Sequence, residues 1–76
     1  MKIKLVFHGS LRRYNSGAAE MVLEIADGNT VADLMSRVGV PQEELAFVAI
    51  NGSRATASQI IQPGDEVKFF QLVAGG

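Results

Sequence analysis

The chain has 76 residues, of which 47% are hydrophobic and 20% charged, with a formal net charge of −1. A chain this short forms one small domain, because it buries only roughly 60% of the surface that its unfolded form exposes. Seven basic residues against eight acidic ones exclude the sustained basic surface that nucleic-acid binding needs. The absence of cysteine excludes disulfides, thiolate catalysis and Cys-ligated zinc or iron–sulfur centres, and a single histidine argues against a histidine-rich metal site.

The hydropathy pattern predicts no membrane segment. No apolar run approaches the ~20 residues that a spanning helix needs, and the Met-Lys start lacks the apolar region of a signal peptide. We therefore expect a cytoplasmic location and no membrane partner.

The first third of the chain predicts two strands joined by a long loop. From Lys2 to Phe7 the residues alternate, with Ile3, Leu5 and Phe7 on one face and Lys2, Lys4 and Val6 on the other. A second alternating run extends from Glu20 to Ala26. Residues 11–13 between them predict a loop or a single helical turn.

A short helix is expected next. Thr30 fits the N-cap position, with Asp33 completing a variant of the capping box. Gly39 fits the position after the helix end, with Pro41 beyond it. One apolar face at helical spacing contains Val31, Leu34, Met35 and Val38.

The second half predicts two further strands. Leu45 to Ile50 is expected to be a strand closed by Asn51-Gly52, after a short turn at Gln42 to Glu44. Gln59 to Ile61 is expected to be a helical turn, and Gln62 to Asp65 a type II turn. The last strand is expected from Glu66 to about Val73, followed by a flexible tail at 74–76.

This order of elements predicts an α+β protein of the β-grasp, ubiquitin-like architecture. Its mixed four- to five-stranded sheet packs on one helix, and residues 1–76 form a single domain. The first and last strands are expected to lie parallel in the middle of the sheet, because they are the most apolar segments.

The last strand predicts a partner-binding surface. If Val67 and Phe69 face the core, alternation places Phe70 and Leu72 on the opposite face. The neighbouring first strand adds two more members of the predicted patch, Val6 and His8. Exposed contiguous apolar surface usually marks a partner site. The alternative is that a bulge near Gln71 or a wrapped loop covers these residues.

The carboxyl-terminal residues give the most specific signal. Val73 and Ala74 lead into Gly75-Gly76, a thin segment without Cβ atoms that ends in a carboxylate. Such a segment fits a narrow channel and brings its carboxylate to the reactive centre of another enzyme. A Gly-Gly ending is also common by composition alone, so simple fraying is the alternative.

Over essentially its whole length the chain resembles the MoaD/ThiS family of ubiquitin-like sulfur carrier proteins. The most specific residues are Gly64-Asp65-Glu66-Val67-Lys68-Phe69-Phe70 and Val73-Ala74-Gly75-Gly76. Less specific matches are Val6-Phe7 with Leu11-Arg12, Thr30-Val31-Ala32-Asp33-Leu34, and Val48-Ala49-Ile50-Asn51.

The resemblance implies a protein substrate of enzymes that is not itself a catalyst and binds no cofactor. It implies that a ubiquitin-activating-type adenylyltransferase (MoeB/ThiF-like) adenylates the Gly76 carboxylate with ATP and Mg²⁺. A sulfur donor such as a cysteine desulfurase or a rhodanese then converts it to a thiocarboxylate. The acceptor enzyme is the molybdopterin synthase large subunit or thiazole synthase.

Features of both branches occur in the chain. Phe69-Phe70 and the loop with Leu11-Arg12 look like the molybdopterin synthase small subunit, which usually has Pro-Pro where this chain has Gln71-Leu72. The ending from Phe70 to Gly76 looks more like the thiamine carrier. Two other functions stay open: a ubiquitin-like modifier conjugated through Gly76 to lysines, and a non-catalytic interaction module.

Overall fold

The computed structural model describes residues 1–72, which form five strands, one α-helix and two 3₁₀ helices. The predicted tail at 74–76 lies outside the described residues. The elements in chain order are β1 (Lys2–Phe7), the 3₁₀ helix η1 (Gly9–Asn15), β2 (Glu20–Glu24), α1 (Val31–Val38), the 3₁₀ helix η2 (Gln42–Glu44), β3 (Leu45–Ile50), β4 (Ser53–Ala55) and β5 (Glu66–Gln71).

The strands form one mixed sheet of order β2-β1-β5-β3-β4, in which only the central pair, β1 and β5, is parallel within residues 1–72. This arrangement confirms the predicted β-grasp architecture. Central strands are hydrogen-bonded on both sides and shielded from water, so the most apolar segments occupy these places. The carboxyl end of β5 consequently leaves from the middle of the sheet.

One face of the sheet packs on α1 to form the core. Leu5 and Val67 are fully buried in it, and the rings of Phe7 and Phe69 meet edge to face with centroids 5.9 Å apart. Val31 and Leu34 supply the buried face of α1.

The ends of α1 confirm the predicted capping residues. The Asp33 backbone N–H donates to Thr30 Oγ1 at 3.2 Å, and the Thr30 N–H donates to Asp33 Oδ2 at 2.9 Å. Gly39 ends the helix with φ +80°, a left-handed conformation that favours glycine, and its N–H donates to the Met35 carbonyl.

A buried carboxylate holds the turn that starts β5. Asp65 is 8% exposed and accepts from Asn51 Nδ2 and from the Gln62 backbone N–H, both at 2.8 Å. The Asp65 N–H donates to the Gln62 carbonyl, and Gly64 has φ +80°, as the third position of the predicted type II turn requires. The turn therefore sets where β5 begins.

Two predictions for the region before that turn are wrong or incomplete. Residues 53–55 form β4, an edge strand that the sequence pattern did not reveal because it is only three residues long. Gln59 to Ile61 is not a helical turn, since Ile60 instead bridges to Thr30 and is 51% exposed. Only Ile61 enters the core.

Two predicted strand ends also differ from the structure. β2 ends at Glu24 instead of Ala26, and β5 ends at Gln71 instead of about Val73. Within residues 1–72, no helix has the length and apolar character to cross a membrane.

Candidate functional site

The sheet face opposite α1 carries a continuous row of planar side chains. His8 stacks on Phe70 with ring centroids 4.3 Å apart, and Phe70 stacks on Phe47 at 4.4 Å. The Arg54 guanidinium lies over the other side of Phe47, 5.0 Å from its centroid. We call these four residues the aromatic row. It crosses the sheet from the end of β1 to β4, beside the end of β5.

A bulge in β3 lies next to this row. Phe47 pairs with Phe70 and Leu45 pairs with Gln71, so Ala46 is an extra residue on β3. The extra residue lets Phe47 face outward while Leu45, two positions earlier, packs against the core. The predicted alternative of a bulge near Gln71 is thus correct for the location, since the bulge lies opposite Gln71 on β3, and Phe70 is covered by the rings of its neighbours and not by the bulge.

The sequence missed two members of this row. Phe47 is 36% exposed and Arg54 lies on the unpredicted strand β4. Strict alternation through Leu45 to Ile50 did offer one signal, because it puts Phe47 opposite the core residues Val48 and Ile50.

The structure corrects part of the predicted patch. Val6 was expected to meet water and is only 9% exposed. It lies on a central strand between Glu20 and Lys68, which are its register partners on the same face, and the stems of such side chains cover apolar neighbours. Leu72 is 61% exposed, as expected.

The other two predicted patch residues are half-buried by the stacking itself. Each face of Phe70 is covered by one ring of the row. His8 Nε2 is buried and has no hydrogen-bond partner among residues 1–72. The structure therefore brings Phe70 and His8 together, while Leu72 is exposed two residues after Phe70 and Val6 is buried.

Charged residues occupy the other half of this sheet face. Lys4 Nζ lies 3.3 Å from Glu20 and 3.6 Å from Glu66, and Lys68 lies 3.7 Å from Glu66. The hydrogen bond to Glu20 and its negative charge raise the pKa of Lys4 above the usual 10.5. One half of this sheet face thus carries charged residues that form ion pairs with one another, and the other half carries the aromatic row.

The base of the carboxyl-terminal tail is held from both sides. Gln71 Oε1 accepts from the Ser10 backbone N–H at 2.5 Å, and the Leu72 N–H donates to the Glu44 carbonyl at 2.9 Å. The Glu44 side chain in turn contacts Tyr14. The remaining predicted site residues, Val73, Ala74, Gly75 and Gly76, lie outside the described residues, and their roles stay predictions.

The described residues provide no assembled metal site. Within 1–72, no three His, Asp or Glu side chains are grouped closely enough to hold an ion. Glu43 and Glu44 diverge, since Glu43 is exposed while Glu44 contacts Tyr14 and Arg13. What the geometry offers is the aromatic row, which includes Phe70, two residues before Leu72, the last described residue.

Comparison with known proteins defines the class. The structure of SAMP1 from Haloferax volcanii superposes with a TM-score of 0.79 at 20% identity, over 100% of both chains. A Pyrococcus furiosus protein described as molybdopterin converting factor, subunit 1, gives 0.77 at 23% identity over 96% of this chain and 99% of that one. At these identities the likeness shows a shared ubiquitin-like β-grasp fold.

A third relative has been solved as a complex. The Helicobacter pylori complex of molybdopterin-converting factor subunits 1 and 2 contains a chain with a TM-score of 0.67 at 14% identity, over 100% of both chains. No protein of curated function matches this sequence significantly.

The sequence model described as the ThiS family matches residues 5–76. The chain therefore belongs to the ThiS family of ubiquitin-like sulfur carriers. Small proteins of this kind are generally carriers without catalytic activity of their own.

Proposed function

We propose that this chain carries sulfur as a thiocarboxylate on Gly76 and donates it in the biosynthesis of a sulfur-containing cofactor, molybdopterin or the thiazole of thiamine. The observation that carries the proposal is the position of β5. This central strand ends at Gln71, directly after Phe70 of the aromatic row, and the Gly75-Gly76 sequence of the proposed carrier lies a few residues further along the chain.

The length of residues 73–76 suits delivery of a carboxylate into the active site of a partner enzyme. Four extended residues reach at most about 14 Å, which is enough to enter a neighbouring active site but not to cross a large enzyme. The activating partner must therefore bind close to the aromatic row. Leu72, whose side chain is exposed, stands in the sequence between Phe70 of that row and the proposed reacting residue Gly76.

Activation of the carboxylate supplies the leaving group. The Gly76 carboxylate attacks the α-phosphorus of ATP, forming an acyl-adenylate and releasing pyrophosphate. The terminal sulfur of a persulfide then attacks the acyl carbon and displaces AMP, which gives an acyl disulfide. A thiol reduces that disulfide, leaving the thiocarboxylate on Gly76 and a second disulfide on the thiol and donor.

The partners supply the remaining groups. A ubiquitin-activating-type adenylyltransferase (MoeB/ThiF-like) brings ATP and Mg²⁺, and a cysteine desulfurase or rhodanese brings the persulfide. The acceptor is the molybdopterin synthase large subunit or thiazole synthase. The two-subunit complex of the Helicobacter pylori relative supports the first acceptor, and the Gln71-Leu72 ending supports the second.

The aromatic row is the docking surface in this proposal. Aromatic and Arg side chains supply most of the binding energy in typical interfaces, and here both kinds are held flat by stacking. The proposed contacts are the four residues of the row, His8, Phe70, Phe47 and Arg54, together with Leu72. Val6 is buried and is not a proposed contact.

The experiment is an ATP–pyrophosphate exchange assay with adenylyltransferases of the same host. Exchange that depends on the chain and disappears when Gly76 is deleted supports activation at Gly76. Gel electrophoresis of the same mixture with a cell extract separates carrier from modifier, because a modifier forms covalent conjugates with larger proteins. No exchange with any of these enzymes contradicts the proposal.

A further inference from the structure

Gln71, the last residue of β5, makes an unusual contact for a strand residue. Its side-chain Oε1 accepts a hydrogen bond from the backbone N–H of Ser10, in the first turn of η1. His8, the N-cap of η1, makes no side-chain capping bond. Gln71 therefore provides, from 61 residues away, an acceptor that η1 lacks locally.

Gly9 makes room for this contact. A Cβ atom at position 9 would overlap the carboxamide of Gln71, so any side chain there displaces it. The other left-handed glycines among residues 1–72, at positions 17, 28, 39, 52 and 64, have open space where a Cβ would lie. Among these described left-handed glycines, Gly9 is thus the one at which another residue, Gln71, occupies the space that a Cβ atom would need.

The contact belongs to a closed ring around the base of the tail. The Ser10 carbonyl accepts from Arg13 Nη1 at 3.2 Å, and Arg13 also forms an ion pair with Glu44. The Glu44 carbonyl accepts from the Leu72 N–H, and Leu72 is covalently joined to Gln71. We call these five residues the tail-root ring. It fixes the last two described backbone positions from opposite sides of β5.

We propose that Gln71 and Gly9 are positioning residues that set the direction in which the tail leaves the sheet, and so place the Gly76 carboxylate for adenylation. This inference rests on the proposed function. Its physical basis is that residues 73–76 follow directly on Gln71 and Leu72, so the two hydrogen bonds at these residues hold the point from which the proposed reacting segment starts. A misplacement of about 1 Å is enough to lower a rate by roughly 10²-fold.

The test compares acceptor removal with acceptor retention at position 71. Gln71→Met keeps the chain length and removes the acceptor, while Gln71→Glu keeps an oxygen that accepts from Ser10. In the pyrophosphate exchange assay, Gln71→Met is expected to lower kcat at least about tenfold while KM for the chain stays within about twofold. Gln71→Glu is expected to restore most of kcat.

A second pair of variants tests Gly9 with a matched control. Gly9→Ala displaces the Gln71 carboxamide from its position beside Ser10. Gly28→Ala introduces an alanine at a similar positive φ, where no atom lies close to the added Cβ. Gly9→Ala is expected to behave like Gln71→Met, and Gly28→Ala to keep the wild-type kcat. Amide hydrogen exchange at Ser10 provides a readout without the partner: it should quicken in Gln71→Met and Gly9→Ala only.

The outcomes distinguish the two proposals. An equal kcat for Gln71→Met and the wild type, with faster exchange at Ser10, overturns the positioning role and leaves the carrier function standing. A Gln71→Glu variant with a kcat as low as that of Gln71→Met also overturns the positioning role and leaves the carrier function standing. A wild-type chain that no activating enzyme adenylates overturns the carrier function, and the positioning role falls with it.

Discussion

The stacking of Phe47 on Phe70 allows a quantitative test of the aromatic row. Phe70→Leu keeps an apolar side chain but removes two stacked contacts, with His8 and with Phe47. Each such contact contributes about 0.5–1.5 kcal/mol beyond burial of area. We therefore expect the free energy of unfolding to fall by about 2 kcal/mol.

That loss is large for a chain of 76 residues. A domain of this size has a total stability of roughly 4–11 kcal/mol. A change of about 2 kcal/mol corresponds to a fall in Tm of roughly 8–16 °C. Urea unfolding followed by far-ultraviolet circular dichroism is the suitable assay, since the chain has no Trp and one Tyr.

A double-mutant cycle isolates the ring contact. Phe47→Leu, Phe70→Leu and the double variant should give a coupling of about 0.5–1.5 kcal/mol. Val22→Ala combined with Phe70→Leu is the control, because Val22 is exposed on β2, two strands away, and should be additive. A Phe47–Phe70 coupling as small as that of the control refutes the stacked arrangement.

The cap of α1, the ion pairs of Lys4 and the carboxyl-terminal glycines each provide a further test. Thr30→Ala removes the cap of α1 and should lower the free energy of unfolding by about 1 kcal/mol in urea, whereas Thr30→Ser should restore it. Lys4 should titrate above pH 10.5 by NMR, so its ion pairs support folding below that pH and are lost as pH rises through the raised pKa; Glu20→Gln should bring the pKa back toward 10.5. Deleting Gly75 and Gly76 should leave urea unfolding unchanged and abolish exchange of pyrophosphate, whereas an interaction module keeps its partner affinity.

Much of the fold could be predicted because its signals are local. The alternation of β1, the Thr30 cap and the Gly39 stop each depend on residues within one element. The parallel central pair followed from the apolar character of β1 and β5. These inferences needed no knowledge of long-range contacts.

The missed features depend on residues far apart in the chain. β4 exists because its three residues pair with β3, not because of its own pattern. The burial of Val6 comes from neighbours on two other strands, and the inward turn of Leu45, two residues before the outward-facing Phe47, comes from the bulge at Ala46. No local pattern reports such effects.

In the candidate site, too, the residues with a local signal could be predicted and those that depend on distant contacts could not. Leu72 and Phe70 could be placed on the outer face by alternation alone. The contact of Gln71 with Ser10 could not, because it joins positions 61 residues apart through a side chain that alternation assigns to the core face. Gly9 likewise gives no local sign of its role, since its missing Cβ matters only through Gln71.

The most direct test of the carrier function is the intact mass of the chain after incubation with ATP, Mg²⁺, an adenylyltransferase of its host, a persulfide donor and a thiol. A sulfur carrier should show the mass increase that replaces one oxygen by sulfur, located at Gly76 by fragmentation and absent from a variant that lacks Gly76. An unchanged mass with enzymes that adenylate other carriers, or covalent attachment to lysines of larger proteins instead, would contradict it.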